Sequence, residues 1–289
     1  MIDIDKRILD AYRIFDSCNL CPRECGADRN HGVLGYCEMD NNLMISSFSP
    51  HFGEEPEIVG TNGSGIIYFT GCNLGCCFCQ NYEVSQLQKG KKATPEELVD
   101  IMISLQNKGC HNINLATPTH FAPHIIKAIK LAKEKGLNIP IIYNDGGYEN
   151  VSTIKLFEGI IDIFMPDIKY AESETSYKFA HAPEYPEKMK LAVKEMHLQV
   201  GDLVVDENGL AKKGLILRHL MLPGKISETE KIAGFIAEEI SKDSYFNLIN
   251  QYQPHYKATD FPEINRKVTK EEYEEALLLV RATGLHRGF

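Results

Sequence analysis

From about residue 64 of this 289-residue chain, short apolar runs alternate with helical patterns six times, and that rhythm limits the fold more than any other feature. The strand candidates are Gly65–Thr70, Asn112–Ala116, Ile139–Asn144, Ile161–Pro166, Gly214–Leu222 and Phe246–Gln251. They are near-continuously apolar, as parallel strands buried on both faces must be. Helix signals lie between them. Thr94-Pro-Glu-Glu97 reads as a capping box leading into Leu98–Asn107, and Pro123–Lys135 carries Ile125, Ile126, Ile129 and Ala132 at helical spacing before Gly136. Ser227-Glu-Thr-Glu230 and Thr269-Lys-Glu-Glu272 read as two further capped starts, while 171–200 is helical but broken by Pro183 and Pro186. Repeated strand–helix–strand units build α/β folds through right-handed crossovers.

Six such units fit either a doubly wound sheet or an open barrel. The strand ends favour the barrel. Each candidate strand runs into polar or turn-forming residues: Thr70-Gly-Cys72, Thr117-Pro-Thr-His120, Asn144-Asp145-Gly146, Asp167-Ile-Lys169, Arg218-His219 before Pro223-Gly224, and Gln251-Tyr-Gln-Pro254. Barrels gather their chemistry at the C-terminal ends of many strands. The expected architecture is therefore α/β, a partial (β/α)6 TIM-like barrel over 61–289. Residues 1–60 precede it as a small cysteine-rich, metal-binding region with a short amphipathic helix over 3–15 and too little apolar content for its own core.

Composition removes several classes. The formal charge is −9, which offers no electrostatic case for nucleic acid. Apolar residues make up 43% and charged ones 25%, ordinary values for a globular chain. No apolar run approaches the ~20 residues of a spanning helix, and Met1-Ile-Asp-Ile-Asp-Lys-Arg lacks the apolar stretch of a signal peptide. A cytoplasmic protein away from membranes is expected. Of nine cysteines, Cys18, Cys21, Cys25 and Cys37 form one group, Cys72, Cys76, Cys77 and Cys79 another, and Cys110 stands alone as a buried thiol. Clusters of this kind in a reducing compartment point to metal.

The second group contains C-x3-C-x2-C on the loop after the first strand. Three thiolates can hold three irons of a [4Fe–4S] cubane and leave the fourth open, the mark of a catalytic centre; structural zinc or an electron-transfer cluster are the alternatives. Cys72-x3-Cys76-x2-Cys79, with Phe78 before the last cysteine, resembles the radical S-adenosylmethionine (radical SAM) enzymes. Cys18-Asn-Leu-Cys-Pro-Arg-Glu-Cys25 and Gly71–Tyr82 resemble a subgroup related to pyruvate formate-lyase activating enzymes. The resemblance implies that Cys72, Cys76 and Cys79 ligate a [4Fe–4S] cluster and that SAM chelates its open iron. One electron then yields methionine and a 5′-deoxyadenosyl radical that takes a hydrogen atom from substrate. Cys77 falls outside the implied ligand set.

Further segments extend the resemblance. Where the superfamily usually has a Gly-Gly-Glu-like segment, this chain has Ala116-Thr-Pro-Thr-His120, so the Thr117 or Thr119 hydroxyl and backbone carbonyls are the candidates to receive the methionine ammonium. His120 reads as a helix-cap neighbour, with ligand or proton donor as the alternatives. Asn144 resembles a ribose-contacting asparagine, although Asn144-Asp-Gly-Gly147 is also a turn sequence. Asp167 and Lys169 resemble an Asp-Leu-Lys segment and share one strand face by the period of two; a structural ion pair is the alternative. Arg218, before Pro223-Gly224, suits a carboxylate, whereas His219 faces away toward a helix. Tyr252 or His255 is placed near adenine or substrate.

The four cysteines of the first group match a closed site for Zn²⁺ or for a second [4Fe–4S] cluster, and spacing does not choose. The leading function is a radical SAM oxidoreductase, either an activase for a glycyl radical enzyme or an enzyme acting on another protein, peptide or small molecule. An iron–sulfur carrier or scaffold without catalysis is the competing class. A reduced flavodoxin or ferredoxin is the implied electron donor, with Lys89–Lys92 a candidate docking patch or a solvated loop.

Overall fold

The computed structural model describes residues 4–289. Among these residues nine strands form one sheet: β1 (Leu43–His51), β2 (Ser64–Phe69), β3 (Lys91–Ala93), β4 (Ile113–Ala116), β5 (Ile141–Asp145), β6 (Ile163–Pro166), β7 (Val204–Val205), β8 (Ala211–Leu220) and β9 (Tyr245–Ile249). The order β2-β4-β5-β6-β8-β9 is parallel throughout and takes in all six expected strands. The sheet does not close, so the architecture is the partial barrel. At its first edge β1 pairs antiparallel with β2 and β3 with β1, while β7 forms a hairpin with β8.

Among the described residues ten α-helices accompany the strands: α1 (Ile4–Arg13), α2 (Pro56–Val59), α3 (Tyr82–Ser85), α4 (Pro95–Asn107), α5 (Ala122–Glu134), α6 (Val151–Leu156), α7 (Ser173–Ala180), α8 (Tyr185–Val200), α9 (Thr229–Glu239) and α10 (Lys270–Ala282). Asp3, the first residue of the expected N-terminal helix, lies outside the described residues. Reciprocal capping boxes open α4 at Thr94/Glu97 and α10 at Thr269/Glu272. Ser227 caps nothing. Its hydroxyl instead accepts from the Leu222 N–H at 3.2 Å, and α9 begins two residues later. A tight turn after β8 claims the hydroxyl first, because side-chain oxygens bond to turn amides as readily as to helix ends.

Two apolar layers position the mouth. Ile142, Ile163, Met165, Ile216 and Tyr245 face inward and pack with Ile58 at the barrel floor. The opposite face of the sheet packs under the helices in a larger core that also takes in Phe15, Leu20, Leu43 and Ile45. The segment after β1 laces the open seam: Asn247 on β9 donates to Glu55 (2.7 Å) and Tyr245 to Glu57 (2.8 Å). No described helix is long and apolar enough to cross a membrane.

Candidate active site

Thr70 follows the last residue of β2, and the second cysteine group comes at once after it. Gly71 adopts φ +87°, and a Cβ there would stand 2.7 Å from the Cys37 carbonyl, so only glycine lets the two cysteine segments touch. The sulfurs collect hydrogen-bond donors. The Leu74 N–H points at Cys72 Sγ (3.4 Å), Tyr170 donates to Cys76 Sγ (3.7 Å), and Ser85 Oγ and Cys79 Sγ share a bond at 3.2 Å. Burial pushes the Cys76 thiol up to about 12, against the pull of Lys169. The three thiols are electrostatic neighbours, although among the described residues no three metal-binding side chains close around one point. The donor set and the N–H and O–H groups aimed at sulfur fit an iron–sulfur cluster at Cys72, Cys76 and Cys79.

Beside this loop the ends of β5, β6 and β8 form a charged layer. Lys169 Nζ meets Asp167 at 2.8 Å. Arg218 donates from Nε to Asp167 (2.7 Å), from Nη1 to Glu54 (2.6 Å) and from Nη2 to Asn144 (2.8 Å). Asn144 donates in turn to Asn114 (3.1 Å). Side-chain exposure falls from 25% at Asp167 through 15% at Lys169 and 12% at Arg218 to 10% at Glu54, so all four groups are largely withdrawn from solvent. Burial would raise Asp167, but Arg218 and Lys169 hold it down at about 2. Burial pushes Asp145 up, reinforced by the Asp167 charge. Tyr185 on α8 ties the layer together: its hydroxyl accepts from the Lys169 N–H (2.9 Å) and lies 3.0 Å from the Gly146 carbonyl and 2.9 Å from that of Asp167.

The other expected residues are dispersed. Thr117 sits at φ +60° with its N–H bonded to the Asn144 carbonyl at 2.7 Å, which places it at the mouth. Thr119 is buried in a 3₁₀ turn and donates to Glu149 at 2.5 Å. His120 is buried against the Thr70 carbonyl at 2.7 Å, and desolvation lowers it to about 3, a neutral imidazole tying β2 to the turn after β4. His219 faces away from the interior, between the Ile168 carbonyl (2.6 Å) and Thr229 of α9 (2.9 Å). Tyr252 is buried edge-on to Phe78 and donates to Ile264 O. Cys110 is buried.

Sequence reasoning missed Glu54, Glu149, Arg23 and Arg29. Glu149 is a fully buried carboxyl whose proton affinity burial raises strongly; Thr119 and Tyr143 donate to it. Arg23, inside the Cys21-Pro-Arg-Glu-Cys25 segment, donates to the carbonyls of Asn73, Leu74, Ala180 and His181 and stacks over Tyr36 at 3.8 Å. It pins the cluster loop to the first cysteine group. Between the two groups lies a cavity of about 430 Å³ whose lining includes Cys37, Cys72, Cys77 and Tyr36. Only the arginine's position next to a cysteine–proline pair could have flagged it.

Residues 66–204 match the Radical SAM superfamily, the stretch that carries the cysteine loop, β2, β4, β5, β6 and the Asp167–Lys169 pair. The chain belongs to the radical SAM superfamily. With membership come a [4Fe–4S] cluster, SAM and the standing of an enzyme. The radical SAM chain is 30% identical to an uncharacterized protein of Methanocaldococcus jannaschii over 292 residues, 98% of this chain and 79% of that one. It is 25% identical to the pyruvate formate-lyase-activating enzyme of Clostridium pasteurianum over 114 residues, 38% of this chain and 47% of that protein. Among solved structures it resembles HydG, a maturase of the [FeFe]-hydrogenase, with a TM-score of 0.52 and 16% identity over 75% of this chain and 48% of that one. That likeness concerns the fold.

Proposed function

We propose that this radical SAM protein reductively cleaves SAM at a [4Fe–4S] cluster held by Cys72, Cys76 and Cys79, and uses the radical to abstract hydrogen from a substrate bound at the barrel mouth. The observation that carries the reading is the placement of the three-cysteine loop directly after β2, with Lys169 and Tyr170 of the β6 end against Cys76. When bound, the cluster and SAM supply the electron transfer and the 5′-deoxyadenosyl radical. The chain supplies orientation and exclusion of water. Thr117, Asn144, Asp167 and Lys169 offer donors and acceptors for the amino acid and ribose parts of SAM. Thr119 is engaged by Glu149, and each Arg218 nitrogen by Asp167, Glu54 or Asn144, so these two support the contact residues from behind.

Within residues 1–60 the cysteine segment serves as a second metal-binding region, while β1 joins the sheet of the 61–289 core. The resemblance over 114 residues to a pyruvate formate-lyase-activating enzyme supports an activase for a glycyl radical enzyme as the finer reading. A different peptide or small-molecule substrate is the second reading, supported by Ala116-Thr117-Pro118-Thr119 where activases of that kind carry Gly-Gly-Glu. A reduced flavodoxin or ferredoxin in the cytoplasm would deliver the electron. The test is anaerobic reconstitution with iron and sulfide, addition of SAM and dithionite, and measurement of 5′-deoxyadenosine. Wild type should form it and Cys76→Ala should not. A fully loaded wild type that forms none would remove the reading.

A further inference from the structure

Away from the mouth the protein buries a guanidinium without an obvious anion. Arg29 is 0% exposed. Its Nε and Nη2 donate to the backbone carbonyl of Asp40 (3.0 and 2.6 Å), and its Nη1 to the backbone carbonyl of His120 (2.6 Å). The same Nη1 lies 3.8 Å from Cys18 Sγ. Phe15 and Phe121 cover the guanidinium carbon at 4.3 and 5.8 Å. These acceptors are neutral carbonyls and a sulfur. A guanidinium keeps its charge in a protein, and a buried charge left uncompensated is strongly disfavoured. The arrangement calls for an anion, and sulfur is what lies within reach.

The four cysteines of the first group lie near it and near one another, although among the described residues no three metal-binding side chains close around one point. The chain folds back on itself between Cys18 and Ala27, with Cys18 N–H to Ala27 O (3.1 Å), Gly26 N–H to Cys18 O (3.0 Å) and Glu24 N–H to Cys21 O (3.0 Å). This knuckle turns Cys18, Cys21 and Cys25 toward Cys37. Gly35 completes the cradle, since a Cβ there would stand 3.3 Å from Cys25 Sγ and 3.5 Å from Cys37 Sγ. Cys37 has Arg29, Cys18 and Cys25 as electrostatic neighbours, and Cys21 has Cys37 and Cys18.

We propose that Cys18, Cys21, Cys25 and Cys37 bind a metal centre as four thiolates, and that Arg29 is its built-in counter-cation. Binding releases four protons to solvent. Four thiolates around either Zn²⁺ or a [4Fe–4S]²⁺ core leave a net charge of two minus, of which Arg29 neutralises half. Its metal binding does not require the cluster at Cys72, Cys76 and Cys79.

The test uses the full chain with Cys72, Cys76 and Cys79 replaced by alanine, so that any remaining metal belongs to the first group. Samples are reconstituted anaerobically, one with zinc and one with iron and sulfide, then desalted and analysed for metal and for visible sulfur-to-iron absorption. A stoichiometric centre of either kind supports the proposal, and the absorption tells which kind it is. Adding Cys25→Ser and Cys37→Ser should abolish it. Arg29→Met should weaken retention against a chelator by about 10–100-fold, as for other groups bonded to metal ligands, while Arg29→Lys keeps most of it. Should Arg29→Met fail to fold, the Arg29→Lys and Cys25→Ser results decide. No stoichiometric metal under either condition, or retention unaffected by every Arg29 and Cys25 change, would overturn the proposal.

Discussion

Replacing Arg23 by methionine should loosen the cluster loop while the rest of the molecule stays folded. The side chain makes four bonds to carbonyls, at 2.9 Å to Asn73, 2.9 Å to Leu74, 2.8 Å to Ala180 and 2.5 Å to His181. Bonds to a charged donor contribute about 1.5–3 kcal/mol each when buried and less where water competes, as at His181. Stacking on Tyr36 adds about 0.5–1 kcal/mol. Methionine retains part of the packing, so a net loss of roughly 3–5 kcal/mol of local attachment is expected. A domain stabilised by about 5–15 kcal/mol survives that, but the loop's opening equilibrium does not. At about 1.4 kcal/mol per factor of ten, amides of the 71–79 loop, such as that of Cys77 bonded to Phe179 O, should exchange at least about a hundredfold faster. Hydrogen exchange read by mass spectrometry measures this, with alkylation of Cys72, Cys76 and Cys79 in metal-free protein as a second readout. Folded Arg23→Met with unchanged exchange and alkylation over 71–79 would refute the clamp.

Lys169→Met should weaken SAM binding by calorimetry with little loss of stability, whereas Arg218→Met should cost about 3–5 kcal/mol in a denaturant melt by leaving Glu54 buried without its ion-pair partner and Asp167 with Lys169 alone. The reverse pattern would sink the assignment of contact and support roles. Asp145, raised by burial and by the Asp167 charge to about 7, holds its proton in the folded state between its unfolded value near 3.9 and about 7. Its contribution to stability therefore declines as pH rises through that window, by at most about 1.4 kcal/mol per unit, and Asp145→Asn should flatten this limb of the stability–pH curve. Asp167, held down at about 2 by Arg218 and Lys169 against its burial, acts oppositely: its stabilisation is present above about 3.9 and lost as pH falls toward 2. Gly71→Ala forces a Cβ to 2.7 Å from the Cys37 carbonyl at a positive φ, so its melting temperature and iron loading should both fall.

The parallel strands were legible because burial on both faces leaves an apolar signature that local sequence carries alone. The Asp167–Lys169 pair was legible for the same reason, since a period of two needs no tertiary knowledge, and so was the outward direction of His219. What escaped was made by closure. Glu54 meets Arg218 across 164 residues, Glu55 meets Asn247 across 192, and Arg23 meets Ala180 across 157. No local pattern marks such partners. Ser227 misled because a serine before Thr-Glu reads as a cap while the β8 turn competes for the same hydroxyl.

Three arginines show how the chain spends its cations on position. Arg218 has every nitrogen engaged by Asp167, Glu54 or Asn144, and so fixes the ends of β5, β6 and β8 relative to the seam segment. Arg23 satisfies only carbonyls, the acceptors that turns and helix ends leave over, and so holds the cluster loop and the α7 end to the first cysteine group. Arg29 is buried among aromatic rings beside a sulfur. Guanidinium groups suit all three tasks because their donors diverge in a plane and their charge persists. The cation of the β6 end that retains a single ion-pair partner and lies beside Cys76 is Lys169. It can therefore move between Asp167 and an incoming ligand, whereas displacing Arg218 would cost the barrel three contacts at once. On this difference rests our proposal of ligand contact at the mouth for the lysine and structural support for the arginine.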